Sequence, residues 1–303
     1  MAETETVAVS GASGLVGTAL CESLEASGRA VKRLVRRPVA DPTREIRWQP
    51  AAGEIDADGL RGVDAVVHLS GENVAGGRWT AARKRAIVDS RVDSTRLLCK
   101  TIAALPDKPR VLVSASAIGI YGNRPDESVD EESPAGEGFL AHTTALWEAE
   151  TRYAYEAGIR VVQMRIGMVL SPDGGALAKL LPLFRLCLGG RLGDGKQVVS
   201  WISLPDLVRA FEHAIANESL HGAVNGVAPG AVTNAEFTKV LASVLGRCES
   251  IPAPAFALRL MVGEMASEVL LSGARVEPKR LVDSGFAFDT PTLEPALRAV
   301  LKA

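Results

Sequence analysis

Gly11, Gly14 and Gly17 recur at every third position of Val7-Ala-Val-Ser-Gly11-Ala-Ser-Gly14-Leu-Val-Gly17, directly after a short apolar run. Residues of this type and spacing serve to hold a phosphate. Gly11 permits a tight turn, Gly14 lets a pyrophosphate approach the backbone, and Gly17 lets the following helix pack closely on the strand. The N–H groups of Ser13, Leu15 and Val16, with the positive end of the helix dipole, would face the anion. The spacing is G-x-x-G-x-x-G, not the commoner G-x-G-x-x-G, and a glycine-rich turn joining any strand to any helix would read the same way. The opening apolar strand and a second strand at a suitable distance favour a dinucleotide.

The next chemical group is Arg36-Arg37, at the end of the second candidate strand, Leu34-Val35-Arg36-Arg37-Pro38. In a dinucleotide fold this strand end meets the adenosine ribose: an acid there bonds the free 2′-hydroxyl of NAD, while arginine accommodates the 2′-phosphate of NADP. No acid occupies that window. A guanidinium matches a phosphate in a bidentate manner, so NADP is the expected cofactor. Lys32 and Arg33 lie nearby too, so a solvated basic strand end is the competing explanation.

The elements that must position these groups are legible as alternation. Candidate strands are Thr6–Ser10, Ala30–Val35, Glu45–Trp48, Asp64–Leu69, Val111–Ala115 and Arg160–Ile166. Ala65-Val-Val-His-Leu69 and Arg110-Val-Leu-Val-Ser114 are nearly continuous apolar runs, as strands covered on both faces should be. Helical stretches at Ala81–Leu105 and Phe139–Ala157 fall between them. This predicts an α/β fold, a doubly wound parallel sheet of Rossmann type, over residues 1–170. Residues 171–303 read as a mixed region that completes the sheet and forms a smaller C-terminal cap. There, Pro205 opens a helix through Ala216. Thr233-Asn-Ala-Glu236 is a capping box for a helix stopping at Gly246, and a helix is expected over Ala255–Leu271. In such a fold ligands lie at the carboxyl ends of the strands. Leu69, Ser70 and Gly71 should therefore line the adenosine side, and Val169 the nicotinamide side.

Composition bounds the function. The 303 residues are 47% hydrophobic and 23% charged with a net charge of −2, which favours neither nucleic acid nor a membrane surface. No apolar run reaches the roughly 18 residues of a membrane span. Met1-Ala-Glu-Thr-Glu-Thr6 is unlike a secretory signal. Cys21, Cys99, Cys187 and Cys248 are scattered and read as free thiols in a reducing cytoplasm; four unclustered histidines argue against a metal. A small-molecule partner is left, its identity unspecified, and the residues argue for no particular oligomeric state.

Gly11-x-x-Gly14-x-x-Gly17, Ser114-Ala-Ser116-Ala-Ile-Gly-Ile-Tyr121-Gly122 and Arg165-Ile-Gly-Met-Val169 together resemble an extended short-chain dehydrogenase/reductase. More narrowly, the chain resembles an atypical epimerase-like subgroup labelled nucleoside-diphosphate-sugar epimerase or cell-division inhibitor. Ser70-Gly-Glu-Asn-Val74, Ser200-Trp-Ile202, Asn225-Gly-Val-Ala-Pro229 and Pro278-Lys-Arg-Leu281 support this from Val7 to Leu301. The resemblance implies a Ser, a Tyr and a Lys, the last two spaced Tyr-x-x-x-Lys on one helix face. The lysine lowers the tyrosine pKa so that the phenol exchanges a proton with substrate. Ser116 matches the serine. Leu140 and Thr144 stand where the tyrosine and lysine would be, and none of the three tyrosines has a lysine four residues later.

Without that pair, Tyr121 and His142 are the titratable side chains near the site, with packing and simple solvation as their competing explanations. Arg91 falls where extended members carry an asparagine; a buried arginine there is costly unless paired, and an anionic cofactor would pair it. Gly189–Gln197 with Ser200-Trp-Ile-Ser203 is the candidate substrate loop, in which Arg191, Gln197 and Trp201 could bond or stack. The residues thus leave two readings: an atypical NADP(H)-dependent oxidoreductase or epimerase-like enzyme, and a non-catalytic NADP(H) sensor.

Overall fold

Val7 and Val9 point to one face of the sheet and Ala8 to the other, and all three are fully buried, because their strand lies mid-sheet with helices on both sides. The computed structural model describes residues 4–248 and 252–302. In chain order, β1 (Thr6–Ser10), α1 (Leu15–Ala26), β2 (Ala30–Val35), β3 (Glu45–Gln49), β4 (Glu54–Ile55) and β5 (Ala65–His68) open the fold. Next come α2 (Ala81–Ala104), β6 (Val111–Ala117), β7 (Arg124–Val129), α3 (Phe139–Ala149), α4 (Arg152–Glu156), β8 (Arg160–Ile166) and β9 (Met168–Leu170). The remainder comprises α5 (Gly175–Arg185), β10 (Val198–Val199), β11 (Trp201–Ser203), α6 (Leu204–Ala216), β12 (Gly222–Gly226), β13 (Val232–Thr233) and α7 (Asn234–Val244). After the undescribed residues lie α8 (Ala255–Val262), β14 (Ala274–Val276), α9 (Lys279–Asp283) and α10 (Leu293–Leu301).

The main sheet has the order β12-β8-β6-β5-β1-β2-β3-β4. All its neighbours pair in parallel except β3 and β4. The chain thus reverses direction across the sheet between β1 and β5, and a crevice opens above their carboxyl ends at that point. On one face Leu20 and Leu24 of α1 and Leu207 and Phe211 of α6 pack on Val7, Val9, Val67 and Val113. On the other, Leu98, Cys99 and Ile102 of α2 and Ala154 of α4 pack on Ala8, Val66 and Leu112. Each fully buried aliphatic or phenyl side chain of these layers contributes about 1.5–3 kcal/mol.

Three of the six anticipated strands have the anticipated limits, and the other three differ by one or two residues at one or both ends. Two expected helices are interrupted. The helix from Phe139 breaks after Ala149, where the Thr151 hydroxyl and the Gln163 amide both donate to the Glu148 carbonyl; these side-chain bonds compete with the helical ladder. The helix from Ala255 ends at Gly263, whose φ of 67° is left-handed, and resumes as a single π turn over Ala266–Leu270. Ser203 caps α6, and the Thr233–Glu236 capping box caps α7.

The second half contributes to both parts of the molecule. β12 joins the edge of the main sheet beside β8. Leu177, Leu181, Phe184, Trp201, Phe237, Leu241 and Leu297 form a separate core that binds α5, α7 and α10 together.

Candidate functional site

The turn after β1 is shaped by its glycines, each in its own way. Gly11 has φ 69°, and a Cβ there would lie 2.8 Å from the Leu69 backbone. The turn therefore abuts Leu69–Ser70 at the end of β5. A Cβ on Gly17 would fall 2.2 Å from the Gly11 carbonyl oxygen, so α1 can start this close to β1 only with glycine at that position. Gly14 differs: its Cβ would meet only Gly11 O, at 3.3 Å, and both it and Ser13 are exposed. Gly14 is also the N-cap of α1 and offers no capping side chain, and the first turn carries no acid. The opening N–H groups of α1, including those of Leu15 and Val16, are left to an external acceptor.

Leu15 packs against Gly174 and Gly175, and the Gly175 position also approaches the Val169 carbonyl. Val169 thus stands beside the start of α1, at the base of α5. On the opposite side of the turn, Gly71 lies against the Arg91 guanidinium. Arg91 donates to the Ile87 carbonyl and sits over the Trp147 ring, 5.2 Å from its centroid. Among the described residues it has no carboxylate partner within salt-bridge reach. Burial pushes its pKa down to about 10, with Glu72 a lesser opposing influence. A partly desolvated, unpaired cation at the cleft wall is costly and suited to an anion.

The two arginines beyond β2 have separate roles. Arg37 donates to both carboxylate oxygens of Glu45, through Nη1 at 2.9 Å and through Nη2. This pairing holds the Glu45 carboxyl down to about 2, with backbone bonds adding to it. Arg36 is exposed, and its guanidinium makes no ion pair among the described residues; only its carbonyl is engaged, by Gln49.

Of the candidates for proton chemistry, Ser116 lies at the carboxyl end of β6 and donates to Glu148 Oε1 at 2.5 Å. Glu148 is in turn paired with Arg165 through two hydrogen bonds of 2.8 and 2.9 Å. Burial alone would lower the Arg165 pKa, but Glu148 raises it overall. Tyr121 is wholly buried: its hydroxyl donates to Asn225 Oδ1 at 2.7 Å and accepts from Arg165 at 2.9 Å. Desolvation pushes its phenol up. This hydroxyl has both its partners inside the protein. His142 is exposed on α3. Two residues from Leu140 is roughly 200° around a helix, so His142 lies on the far side of α3 from the Leu140–Thr144 face. The structure brings Ser116 to Glu148 and leaves His142 remote.

Leu140 and Thr144 occupy the inner face of α3. Leu140 lies against Gly119, and the Thr144 hydroxyl donates to the Leu140 carbonyl. Around Leu140 are Trp79, Phe139, Val262, Met265 and Val269, an apolar cluster from three parts of the chain. The expected substrate loop behaves differently. Trp201 is fully buried with its indole N–H on the Gly230 carbonyl, and the Gln197 amide is spent on the Leu192 and Leu270 carbonyls. Arg191 alone of these three is exposed.

Two polar groups near the site escaped the sequence reading. His68, inside the apolar run of β5, is fully buried and bonded to Ser10 at 2.6 Å and Thr95 at 3.0 Å. Burial lowers its pKa to about 4. The other is Glu148, one turn after Thr144 on the buried side of α3. The available signal was an ionisable residue inside an apolar pattern: His68 in Ala65–Leu69, and Arg165, the partner of Glu148, in Arg160–Ile166.

Residues 7–225 match the NAD dependent epimerase/dehydratase family. The chain belongs to that family. Within it, an epimerase family protein of Mycobacterium bovis, Mb2239, is 46% identical over 96% of each chain. Human epimerase family protein SDR39U1 is 36% identical, covering 97% of this chain and 99% of its own. A crystal structure of that human protein (isoform 2) with NADPH superposes with a TM-score of 0.89 and 33% identity, covering 98% and 99% of the two chains. Beyond the family match, residues 253–300 match a domain of unknown function. Those residues include α8, which borders the apolar cluster at Leu140, so this part of the epimerase-family chain packs directly on the site.

Proposed function

We propose that this protein is an NADPH-binding oxidoreductase acting on a small molecule, by chemistry that does not use a Tyr-x-x-x-Lys pair. The observation that carries the reading is Arg36, without an ion pair among the described residues, beside an α1 start that no side chain caps: a cation and an anion cradle at the two places where a 2′-phosphate and a pyrophosphate would bind. The residues fit the cofactor: a Cβ at Gly14 would meet only the Gly11 carbonyl oxygen, leaving the mouth of the turn uncovered, and Arg91 has no carboxylate partner among the described residues. The human relative solved with NADPH supports the same choice. When bound, the cofactor supplies or accepts a hydride. Ser116 keeps its proton directed at Glu148, leaving its Oγ lone pairs to accept from a substrate hydroxyl. Arg165 holds Glu148 in place for that contact. Leu140 and its apolar neighbours exclude water.

One observation favours the second reading, a non-catalytic NADPH sensor: the positions that would carry the proton relay are an aliphatic side chain and a hydroxyl bonded to its own helix. Following NADPH oxidation against a panel of ketones, aldehydes and nucleotide sugars, at protein concentrations high enough to register slow turnover, separates the two. Turnover of one class, lost in Ser116→Ala, supports the enzyme; tight NADPH binding with no turnover across the panel supports the sensor.

A further inference from the structure

The cap core joins α5 and α7, and the chain leaves the two helices in the same corner of the molecule. Cys187 follows the end of α5 and Cys248 follows the end of α7, with their sulfurs 3.1 Å apart. That separation is only about 1 Å longer than a disulfide bond. Both side chains reach solvent, Cys248 being exposed and Cys187 partly so. The helices behind them are fixed against each other by Leu181 and Phe184 on one side and Leu241 and Val244 on the other.

The backbone supplies a second, independent observation. Cys187 has φ 54°, one of two non-glycine residues with positive φ among those described. It ends α5 in the left-handed position that glycine normally takes at a helix C-terminus, whereas α7 ends on a glycine there, Gly246 at φ 61°. Lys302 takes the same conformation at the end of α10; at the end of α5 it turns the Cys187 sulfur toward Cys248.

We propose that Cys187 and Cys248 are a redox modification site, forming a reversible intramolecular disulfide when the protein meets hydrogen peroxide. The Cys187 thiolate attacks a peroxide oxygen; the O–O bond breaks, a sulfenic acid forms on Cys187, and the departing hydroxide becomes water. The Cys248 sulfur then attacks the Cys187 sulfur. The S–S bond forms as the S–O bond breaks, and the second water leaves with the Cys248 proton. The two sulfurs lose two electrons and the peroxide gains them. Cys187 is the attacking residue because the Cys248 thiol donates to it, which lowers its pKa, with nearby Arg247 contributing. Cys21 and Cys99 are internal controls: both are buried, and burial pushes Cys99 up to about 12, so neither supplies a reactive thiolate. The bond closes a long loop and so stabilises the cap against unfolding.

The test uses the full reduced chain, exposed to hydrogen peroxide, blocked at its remaining thiols and digested without reduction for mass spectrometry. The expected product is one cross-linked pair of peptides carrying Cys187 and Cys248, two hydrogens lighter than the reduced pair and restored by dithiothreitol. Cys21 and Cys99 stay reduced. The oxidised protein melts several degrees higher, and the gain is absent in Cys248→Ser. In that variant Cys187 stops at a sulfenic acid that dimedone traps. Recovery of both cysteines as independently blocked thiols after peroxide treatment overturns the proposal, as does cross-linking only between separate chains.

Discussion

Arg37 and Glu45 are joined guanidinium to carboxylate by two hydrogen bonds, and this pairing leaves the adjacent Arg36 as the uncommitted cation at the end of β2. Two arginines that look equivalent in sequence therefore have different tasks. Arg37 ties the strand end to β3, and Arg36 is available to a ligand.

The consequence is measurable by titrating NADPH and NADH against single variants. Arg36→Ala should weaken NADPH binding about tenfold to a hundredfold, the loss of one charge-assisted contact of about 1.5–3 kcal/mol, and leave NADH nearly unaffected. Arg37→Ala should change the NADPH-to-NADH ratio much less. A selective loss in Arg37→Ala with none in Arg36→Ala would reverse the assignment.

Gly14 and Gly17 differ in the same informative way. Gly14→Val places bulk in the open mouth of the turn, at a φ of −83° that valine accepts. It should abolish NADPH binding while shifting Tm by little. Gly17→Ala puts a methyl group into the Gly11 carbonyl and should lower Tm by several degrees before any question of binding arises. If Gly14→Val binds NADPH normally, the turn is structural only and the cofactor site lies elsewhere.

His68 makes stability depend on acid. Its folded pKa, about 4, lies below the ordinary histidine value of 6.5 because burial disfavours the charged ring. The unfolded chain therefore takes up the proton first. The contribution is fully present above pH 6.5 and is lost as the pH falls from there through 4. The shift amounts to about 3 kcal/mol at most. Urea denaturation from pH 7 to 4 should show this slope, and His68→Gln should flatten it. An unchanged slope in His68→Gln would place the acid sensitivity in other groups.

The parallel sheet was legible because strands buried on both faces read as unbroken apolar runs, as in Val111–Ser114, and because the glycine turn marks the first crossover. The cap was less legible. Its strands, such as Val198–Val199 and Val232–Thr233, span two residues each, too few for a periodic pattern. Gly263 stops α8 in a conformation that no neighbouring residue announces. At the site, the glycine turn abuts Leu69–Ser70, and Gly71 lies against Arg91. For Tyr121 the sequence left packing and proton transfer both open, because it shows a phenol but not its burial. Glu148, Arg165, Tyr121 and Asn225 come from four separate elements, and their shared hydrogen bonds exist only after the sheet has assembled.

Leu140 and Thr144 provide the decisive chemical test. They lie one turn apart on the inner face of α3, Leu140 against Gly119 and Thr144 buried with its hydroxyl on the Leu140 carbonyl. Turnover of ordinary ketone reductase or sugar epimerase substrates by the native protein should therefore be very low. Leu140→Tyr alone supplies an acid whose pKa nothing lowers. Thr144→Lys alone buries an ammonium without a partner and should reduce Tm. Together the two supply a phenol and the charge that tunes it, so the double variant should turn over ketones faster than the product of the single effects allows, as expected of residues acting as a unit. Rates and Tm measured on all four proteins complete the cycle. Robust ketone turnover by the native chain, undiminished in Ser116→Ala, would show that the reacting atoms do not meet at the end of β6.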